Sequence, residues 1–387
     1  MKQLRLIAVL LPLVIFSPLA IDIFLPALPI MASDFNVSTT QMQWTITVFI
    51  FSLGIGQLFL GPISDRIGRR PIALLGVVLY AISALLMVFE DNFELHLILR
   101  FFQGLGSCAI IVSVFASVTD RFDTKESSQI FSYLNGMIFC IPAVAPILGY
   151  FLTVSYGWQS NFVFMTEFAA IFGVVAFKCF KETYIPRKKV TKASAYKSII
   201  TNSSFVFYAT VVMLSMASIT AFVSTAPNVF IHQFHLSEET FTHWFSLNAG
   251  LNIVISLLTP KLIEHFKINS IIKVGMGMVV TSGVLLTSFQ HSMTVINYML
   301  PVMFGFMGFS LLMGTCAGKA LSGFKANAGS AAALLGFIQM SLSALLVTLV
   351  QALHFSSTEQ LVIFSLCFVP LFIIKQLRDL EKEPEQI

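Results

Sequence analysis

Charge is scarce in this chain of 387 residues: Asp, Glu, Lys and Arg together make up 11%, less than half of the roughly 25% that a soluble domain carries. So few charges cannot cover a surface that faces water. With hydrophobic residues at 56% and a mean hydropathy of +0.85, the composition specifies an all-α membrane protein of many spans. Cysteine is also sparse. Its five copies, Cys108, Cys140, Cys179, Cys316 and Cys367, fall in apolar segments or near their inner ends, which argues against a disulfide framework and a thiolate metal site. The seven histidines show no paired ligand spacing, so neither a metal nor another cofactor is expected. Only three tryptophans occur. Trp44, Trp158 and Trp244 stand where outer helix ends are expected, as residues of an interfacial belt do. The net charge of +4 makes no case for nucleic acid, because the basic residues are needed to orient helices.

What is abundant is apolar sequence in lengths of about 20 residues, enough to cross a bilayer. Twelve such windows can be placed, at 5–31, 41–62, 71–89, 95–119, 129–152, 160–180, 205–231, 241–260, 270–289, 294–318, 328–352 and 358–376. Lys2 and Arg5 before the first window resemble a signal peptide, but the apolar run continues past Ala20 to about Ile30, so an uncleaved first helix is expected. With both termini inside, 22 of the 23 Lys and Arg lie in inner segments and the outer loops hold none; this asymmetry predicts cytoplasmic termini. The window starts repeat. Residue 205 follows 5 by 200 positions, 241 follows 41 by 200, 294 follows 95 by 199 and 328 follows 129 by 199. Six helices, duplicated in parallel, predict two six-helix bundles with a site between them near mid-depth. The expected division is 1–180 for the first bundle, 181–204 for a basic cytoplasmic linker containing Pro186, and 205–387 for the second. The linker's charge suits contact with anionic lipid.

Three charged residues fall well inside apolar windows, all in the first half: Asp22, Arg100 and Glu167. At a rise of about 1.5 Å per residue they sit about 13, 8 and 10 Å below the outer ends of their helices. An isolated charge there costs roughly 2.5 kcal/mol or more, so such residues mark pathways, proton relays or static pairs. Gln103 lies one turn after Arg100, on the same helical face. A carboxylate that alternately meets and leaves an arginine would switch its protonation, and arginine itself stays charged. A static Asp22–Arg100 pair joining helices 1 and 4 is the simpler reading. For Glu167 a snorkelling role stands beside the functional one. In helix 1, Pro12, Pro18, Pro26 and Pro29 each remove a backbone donor, and in helix 5, Pro142, Pro146 and Gly149 have a spacing expected to kink it.

Between the second and third windows stands a basic turn, Gly61-Pro-Ile-Ser-Asp65-Arg66-Ile-Gly68-Arg69-Arg70-Pro71. Its lone carboxylate, Asp65, could dock on the positive end of another helix. This run resembles the signature between helices 2 and 3 of the major facilitator superfamily, matching its glycine, aspartate, arginine and double-basic positions without a gap. Arg100, Gln103, Gly104 and Gly106 resemble the arginine motif of drug:proton antiporters in that family. Asp22-Ile-Phe-Leu-Pro26-Ala-Leu-Pro29 is similar to the acidic motif of Bcr/CflA-type drug exporters, which include amphenicol exporters, and Ser224-Thr-Ala-Pro227 fits the same group. Helix 5 departs from the pattern. The antiporter motif carries Gly before its second proline and a closing glycine pair, whereas this chain has Ala145, Pro146, Gly149 and Tyr150.

The resemblance implies a proton-coupled efflux transporter for small amphipathic molecules such as antibiotics, a monomer in the inner membrane of a bacterium, with Asp22, Arg100, Gln103 and Glu167 in coupling and substrate binding. It further implies that Asp65 approaches the start of helix 11, near Asn327 to Ser330, and stabilises an outward-open state. Export of an endogenous metabolite or siderophore, proton-linked import and a non-transporting receptor are the other readings. No cluster of nucleophile and base, or of metal ligands, speaks for an enzyme.

Overall fold

The computed structural model describes residues 2–183, 192–290, 294–353 and 355–380. Pro186 and the middle of the expected linker lie outside the described residues. Every described element is helical, as backbone immersed in hydrocarbon requires, since each peptide group must find its partner within its own segment. The spanning helices are α1 (Lys2–Asp22), α2 (Trp44–Ile67), α3 (Arg69–Met87), α4 (Phe93–Arg121), α5 (Thr124–Tyr156), α6 (Gln159–Cys179), α7 (Ser203–Pro227), α8 (Glu238–His265), α9 (Ile268–Ser288) and α10 (Val295–Leu321). Two more are interrupted: α11 (Ala328–Phe337) runs through a π turn at Ile338–Leu342 into Ser343–Ala352, and α12 (Ser357–Leu366) continues as Phe368–Leu380. Among the described residues, twelve segments are long and apolar enough to cross a membrane.

The starts of several helices are written in the sequence as caps. Asn92 accepts from Leu95 N, Ser237 from Thr240 N and Thr294 from Asn297 N, and Ser356 with Glu359 forms a capping box. Each satisfies donors that no earlier turn can reach. The first window is not one helix. α1 stops at Asp22, a 3₁₀ turn follows at Leu25–Ala27, and a short helix spans Leu28–Asp34. Pro26 and Pro29 occupy the opening positions of these two pieces, where a missing N–H costs nothing but where a continuous helix would have needed it. In contrast, α5 is helical throughout, across both Pro142 and Pro146.

By contacts the chain divides into two compact units: Met1–Phe122, Met137–Ile199 and Phe324–Phe337 form unit 1, and Asp123–Gly136, Ile200–Gly323 and Ile338–Ile387 form unit 2. These are not the two halves of the sequence. The first turns of α5 bond within unit 2, through Gln129 Nε2 to the Pro260 carbonyl (3.1 Å) and Ser128 Oγ to the Thr315 carbonyl (3.4 Å). The first turns of α11 lie against α2 of unit 1 in the same manner.

Within unit 1, α4 is the central element, buried along most of its length. It crosses α3 backbone to backbone at Gly76 and Gly106, where a Cβ on either would stand less than 3 Å from the other's carbonyl oxygen. Within unit 2, α10 meets α9 at Gly275 and Gly308, where a Cβ would stand 3.1 and 2.7 Å from the other's carbonyl oxygen. The sequence repeat is thus a repeated helix crossing made by small residues. The apolar side chains left outside, among them Phe51, Phe59, Leu75 and Ile147, are more than half exposed, as residues facing lipid are.

Candidate functional site

The buried guanidinium of Arg100 organises the membrane-depth site in unit 1. It is wholly buried, and each of its three nitrogens donates to a neutral oxygen. Nη1 donates to Gln103 Oε1 (2.6 Å), Nη2 to the Ala20 carbonyl (2.9 Å) and Nε to the Thr45 carbonyl (3.2 Å). The ring centres of Phe24 and Phe49 lie 4.5 and 4.9 Å from its central carbon. The break in α1 explains the Ala20 bond. A helix continuing past Asp22 would use that carbonyl for the N–H of residue 24; the chain unwinds instead, and the orphaned oxygen becomes a ligand for the cation.

A static Asp22–Arg100 pair, the alternative reading of these two residues, is not made. Asp22 is half-buried at the last position of α1, and among the described residues no ion pair joins it to Arg100 or to any other cation. Carbonyls, an amide and two aromatic faces solvate the arginine in place of a counter-ion. Gln103 bridges onward, its Nε2 3.5 Å from Met165 Sδ on α6. Glu167 is placed elsewhere. It is exposed, on one stripe of α6 with Val163, Ile171 and Val174, opposite the buried face of Phe162, Met165 and Ala169. The structure therefore brings together Arg100 and Gln103 beside the α1 break that ends at Asp22, and leaves Glu167 out.

Gly149 has a tighter role than the expected kink. A Cβ at this position would run into the carbonyl group of Ile23, so α5 passes directly against the unwound segment after Asp22. Two residues were not singled out by sequence. Met165 supplies the α6 contact, and His96, one turn before Arg100, is fully buried among the rings of Phe35, Trp158 and Phe162 at 5.2, 6.3 and 5.3 Å. Among the described residues, neither ring nitrogen of His96 has a hydrogen-bond partner. Its spacing of four from Arg100 was the available signal. Trp158 is correspondingly not a belt residue: it is buried and donates from Nε1 to Asp34 Oδ2 at 2.7 Å. Trp44 is exposed.

At the other end of unit 1, the basic turn forms a charge cluster. Asp65 accepts from the backbone N–H of Gly329 (Oδ1, 2.7 Å) and of Ser330 (Oδ2, 2.6 Å) and from Ser330 Oγ (2.5 Å) at the start of α11. Arg69, buried, pairs with Asp65 (2.7 Å) and with Asp120 (2.9 Å). Gly68 has φ of 115° and serves as both the end of α2 and the cap of α3, a conformation side chains resist. A Cβ at Gly61 would meet Ala333 and the Gly329 carbonyl, so this glycine lets α2 and α11 touch. Arg70 donates to the Phe177 carbonyl (2.6 Å) and lies over the Phe177 ring, and Arg66 is exposed.

Three further residues complete the cluster. Asp120 holds Arg69, Thr183 Oγ1 donates to Asp120 Oδ2 (2.9 Å), and Glu182 accepts from the N–H groups of Arg69 and Arg70 (3.0 and 3.1 Å). Nearby, Tyr196 in the helix Lys192–Ile200 donates to the Leu58 carbonyl at 2.8 Å. That oxygen is free because its partner along α2 would be the N–H of Pro62, which does not exist. Burial, and next the charge of Asp65, push the Tyr196 phenol above its ordinary pKa, keeping the donor proton in place.

Comparison with known proteins places this architecture. The family model described as Major Facilitator Superfamily matches residues 10–348. The chain is 30% identical over 357 residues to a protein named multidrug resistance protein MdtL from Salmonella paratyphi A (strain ATCC 9150 / SARB42), covering 90% of this chain and 89% of that one. It is 31% identical over 354 residues to the protein of the same name from Salmonella dublin, with the same shares covered. Among solved structures, the human organic anion transporter MFSD10 (TETRAN) is similar with a TM-score of 0.77 at 15% identity, over 97% of this chain and all of that one. FucP in its outward conformation gives 0.75 at 12% identity, over 96% and 98%.

Proposed function

Because the chain belongs to the Major Facilitator Superfamily, a family of transporters, and crosses the membrane many times, we propose that it is a proton-coupled efflux transporter of small amphipathic molecules such as antibiotics. Its similarity to multidrug resistance proteins over nine-tenths of its length supports the substrate class. The orientation that the basic residues favour puts both termini in the cytoplasm of a bacterium, with the chain in the inner membrane.

One observation carries the coupling proposal: a half-buried acid, Asp22, ends a broken helix beside a buried arginine that does not neutralise it. In this reading Asp22 takes a proton from outside and releases substrate, then loses it inward and rebinds substrate. Arg100 holds the broken end of α1 in place through the Ala20 carbonyl and, with Gln103, offers a fixed cation and an amide to the site. Asp65, by capping the start of α11, holds the cytoplasmic gate closed while the site opens outward.

The test is transport in inside-out vesicles bearing a pH gradient, acid inside. Addition of an exported antibiotic should dissipate the gradient with the wild-type chain and not with Asp22→Asn. Full dissipation with Asp22→Asn would refute the coupling assignment, and no dissipation with any of a broad antibiotic panel would refute the substrate class.

A further inference from the structure

Two side chains anchor the helix Lys192–Ile200 on unit 1. Tyr196, half-buried, donates from its phenol to the Leu58 carbonyl at 2.8 Å, and Ile199, three positions on and therefore on the same face, is fully buried. Lys197, Ser198 and Ile200 are exposed. The acceptor exists because of Pro62. In an unbroken α2 the Leu58 oxygen would take the N–H of residue 62, which a proline lacks, and a carbonyl orphaned away from water is unfavourable until a donor reaches it. Proline thus opens a socket in α2, and the tyrosine fills it. Leu58 stands about two helical turns before Asp65, and the charge of Asp65 reaches the phenol.

The chain that follows gives this contact a mechanical consequence. The helix ends at Ile200, and α7 begins at Ser203 with Asn202 as its cap, Asn202 Oδ1 accepting from Ser204 N and Phe205 N at 3.0 and 2.9 Å. Contacts assign the chain to unit 1 as far as Ile199 and to unit 2 from Ile200. The slack between the anchored helix and α7 is therefore two residues, which extend to about 7 Å at most. Unseating the nine-residue helix would add about 13 Å of reach. Within unit 2, α7 packs on α10, with the rings of Phe222 and Phe306 5.0 Å apart, and α10 leads through Lys325–Asn327 into α11. While Tyr196 stays seated, the start of α7 can travel little from α2, and the start of α11, carried by α10, shares that limit. The bond joins two neutral groups, so it can break without stranding a charge.

We propose that Tyr196 and the Leu58 carbonyl form a releasable strap. Seated, the phenol shortens the connection between the two units and keeps the start of α11 on Asp65; unseated, it lengthens that connection and lets the gate open. The inference rests on the reading of Asp65 as a gate given above, and adds to it a second restraint made by the linker.

The experiment is hydrogen–deuterium exchange of the full chain in detergent, read by mass spectrometry in the segments 192–200 and 324–332. Tyr196→Phe removes one hydroxyl and should speed exchange about threefold or more in both segments. Tyr156→Phe, at an exposed tyrosine of α5, should stay within about 1.5-fold of wild type. In a Pro62→Ala background α2 supplies the Leu58 carbonyl with an N–H of its own, so adding Tyr196→Phe there should change either rate by less than about 1.5-fold. Faster exchange in 192–200 alone would make Tyr196 a local pin for its own helix and overturn the strap. So would no change in either segment, or an effect of Tyr196→Phe that is equal with and without Pro62. Asp65→Asn separates the two readings. If it speeds exchange in 324–332 and Tyr196→Phe does not, the gate stands and the strap falls; if it leaves 324–332 unchanged, the gate reading fails and the strap with it.

Discussion

Arg100 is bonded to the carbonyl of Ala20, two residues before Asp22, and not to the Asp22 carboxylate. The cation thus grips the broken end of α1 by its backbone, and the acid at that end stays open to other partners. The geometry of the guanidinium fork matters as much as its charge, because Nε, Nη1 and Nη2 each have a separate target. A lysine has one ammonium on a flexible stem and cannot serve three fixed oxygens. Arg100→Lys is expected to lower transport at least tenfold while the protein still inserts and purifies, measured as initial rates in reconstituted vesicles.

Glu167 gives the opposite expectation. It shares an exposed stripe with Val163, Ile171 and Val174, away from the buried face that carries Met165 to Gln103. Glu167→Gln should transport within twofold of wild type at every pH tested. Met165→Ala, on the buried face, should by comparison reduce the rate several-fold, since Gln103 loses the neighbour that fixes its amide.

Asp65 and Ser330 form a coupled pair across 265 residues of sequence. Hydrogen bonds to a charged group contribute about 1.5–3 kcal/mol each, and residues in one network deviate from additivity by about 0.5–3 kcal/mol. In a double-mutant cycle of Asp65→Asn and Ser330→Ala, followed by unfolding in mixed micelles, the coupling should fall in that range. Asp65→Asn should also weaken transport, because Arg69 keeps Asp120 but the start of α11 loses its charged cap.

Gly149 is packed against backbone, the Ile23 carbonyl, and not against a side chain that could turn aside. Overpacking of this kind costs about 1–3 kcal/mol. Gly149→Ala is expected to lower the melting temperature and, by shifting the unwound segment after Asp22, to impair transport more than its loss of stability explains. Melting curves and rates measured on the same preparation check both.

Much of this was legible in the residues. Span number and the repeat follow from apolar length and window spacing; a lone acid in a basic turn pointed to docking on a helix start, and the resemblance to the major facilitator superfamily implied that this start is that of α11. Depth along a helix could be counted from sequence, and it placed Asp22, Arg100 and Glu167 at similar levels; azimuth could not, and azimuth separates Glu167 from the others. Which of the readings of Asp22 and Arg100 applies also turned on local backbone. Opposite charges at equal depth left a static ion pair open beside a coupling role, whereas the break after Asp22 frees the Ala20 carbonyl, which takes the cation instead. Asp120 and Glu182 were hidden because acids at helix ends are ordinary in sequence, and their significance comes only from Arg69 and the start of α3 lying beside them. Trp158 was read as interfacial from its position, but Asp34, brought close by the short helix Leu28–Asp34, gives its ring N–H a partner inside.

Substrate-driven proton release is the most direct test of the central claim that Asp22 is the acid of the transport cycle. A weakly buffered detergent solution of the purified chain with a pH dye would report protons displaced when an exported antibiotic is added. Wild type and Glu167→Gln should release protons in proportion to substrate bound, and Asp22→Asn, a mimic of the protonated acid, should bind substrate more weakly and release none even at saturating substrate. Equal release from Asp22→Asn and wild type would contradict the account.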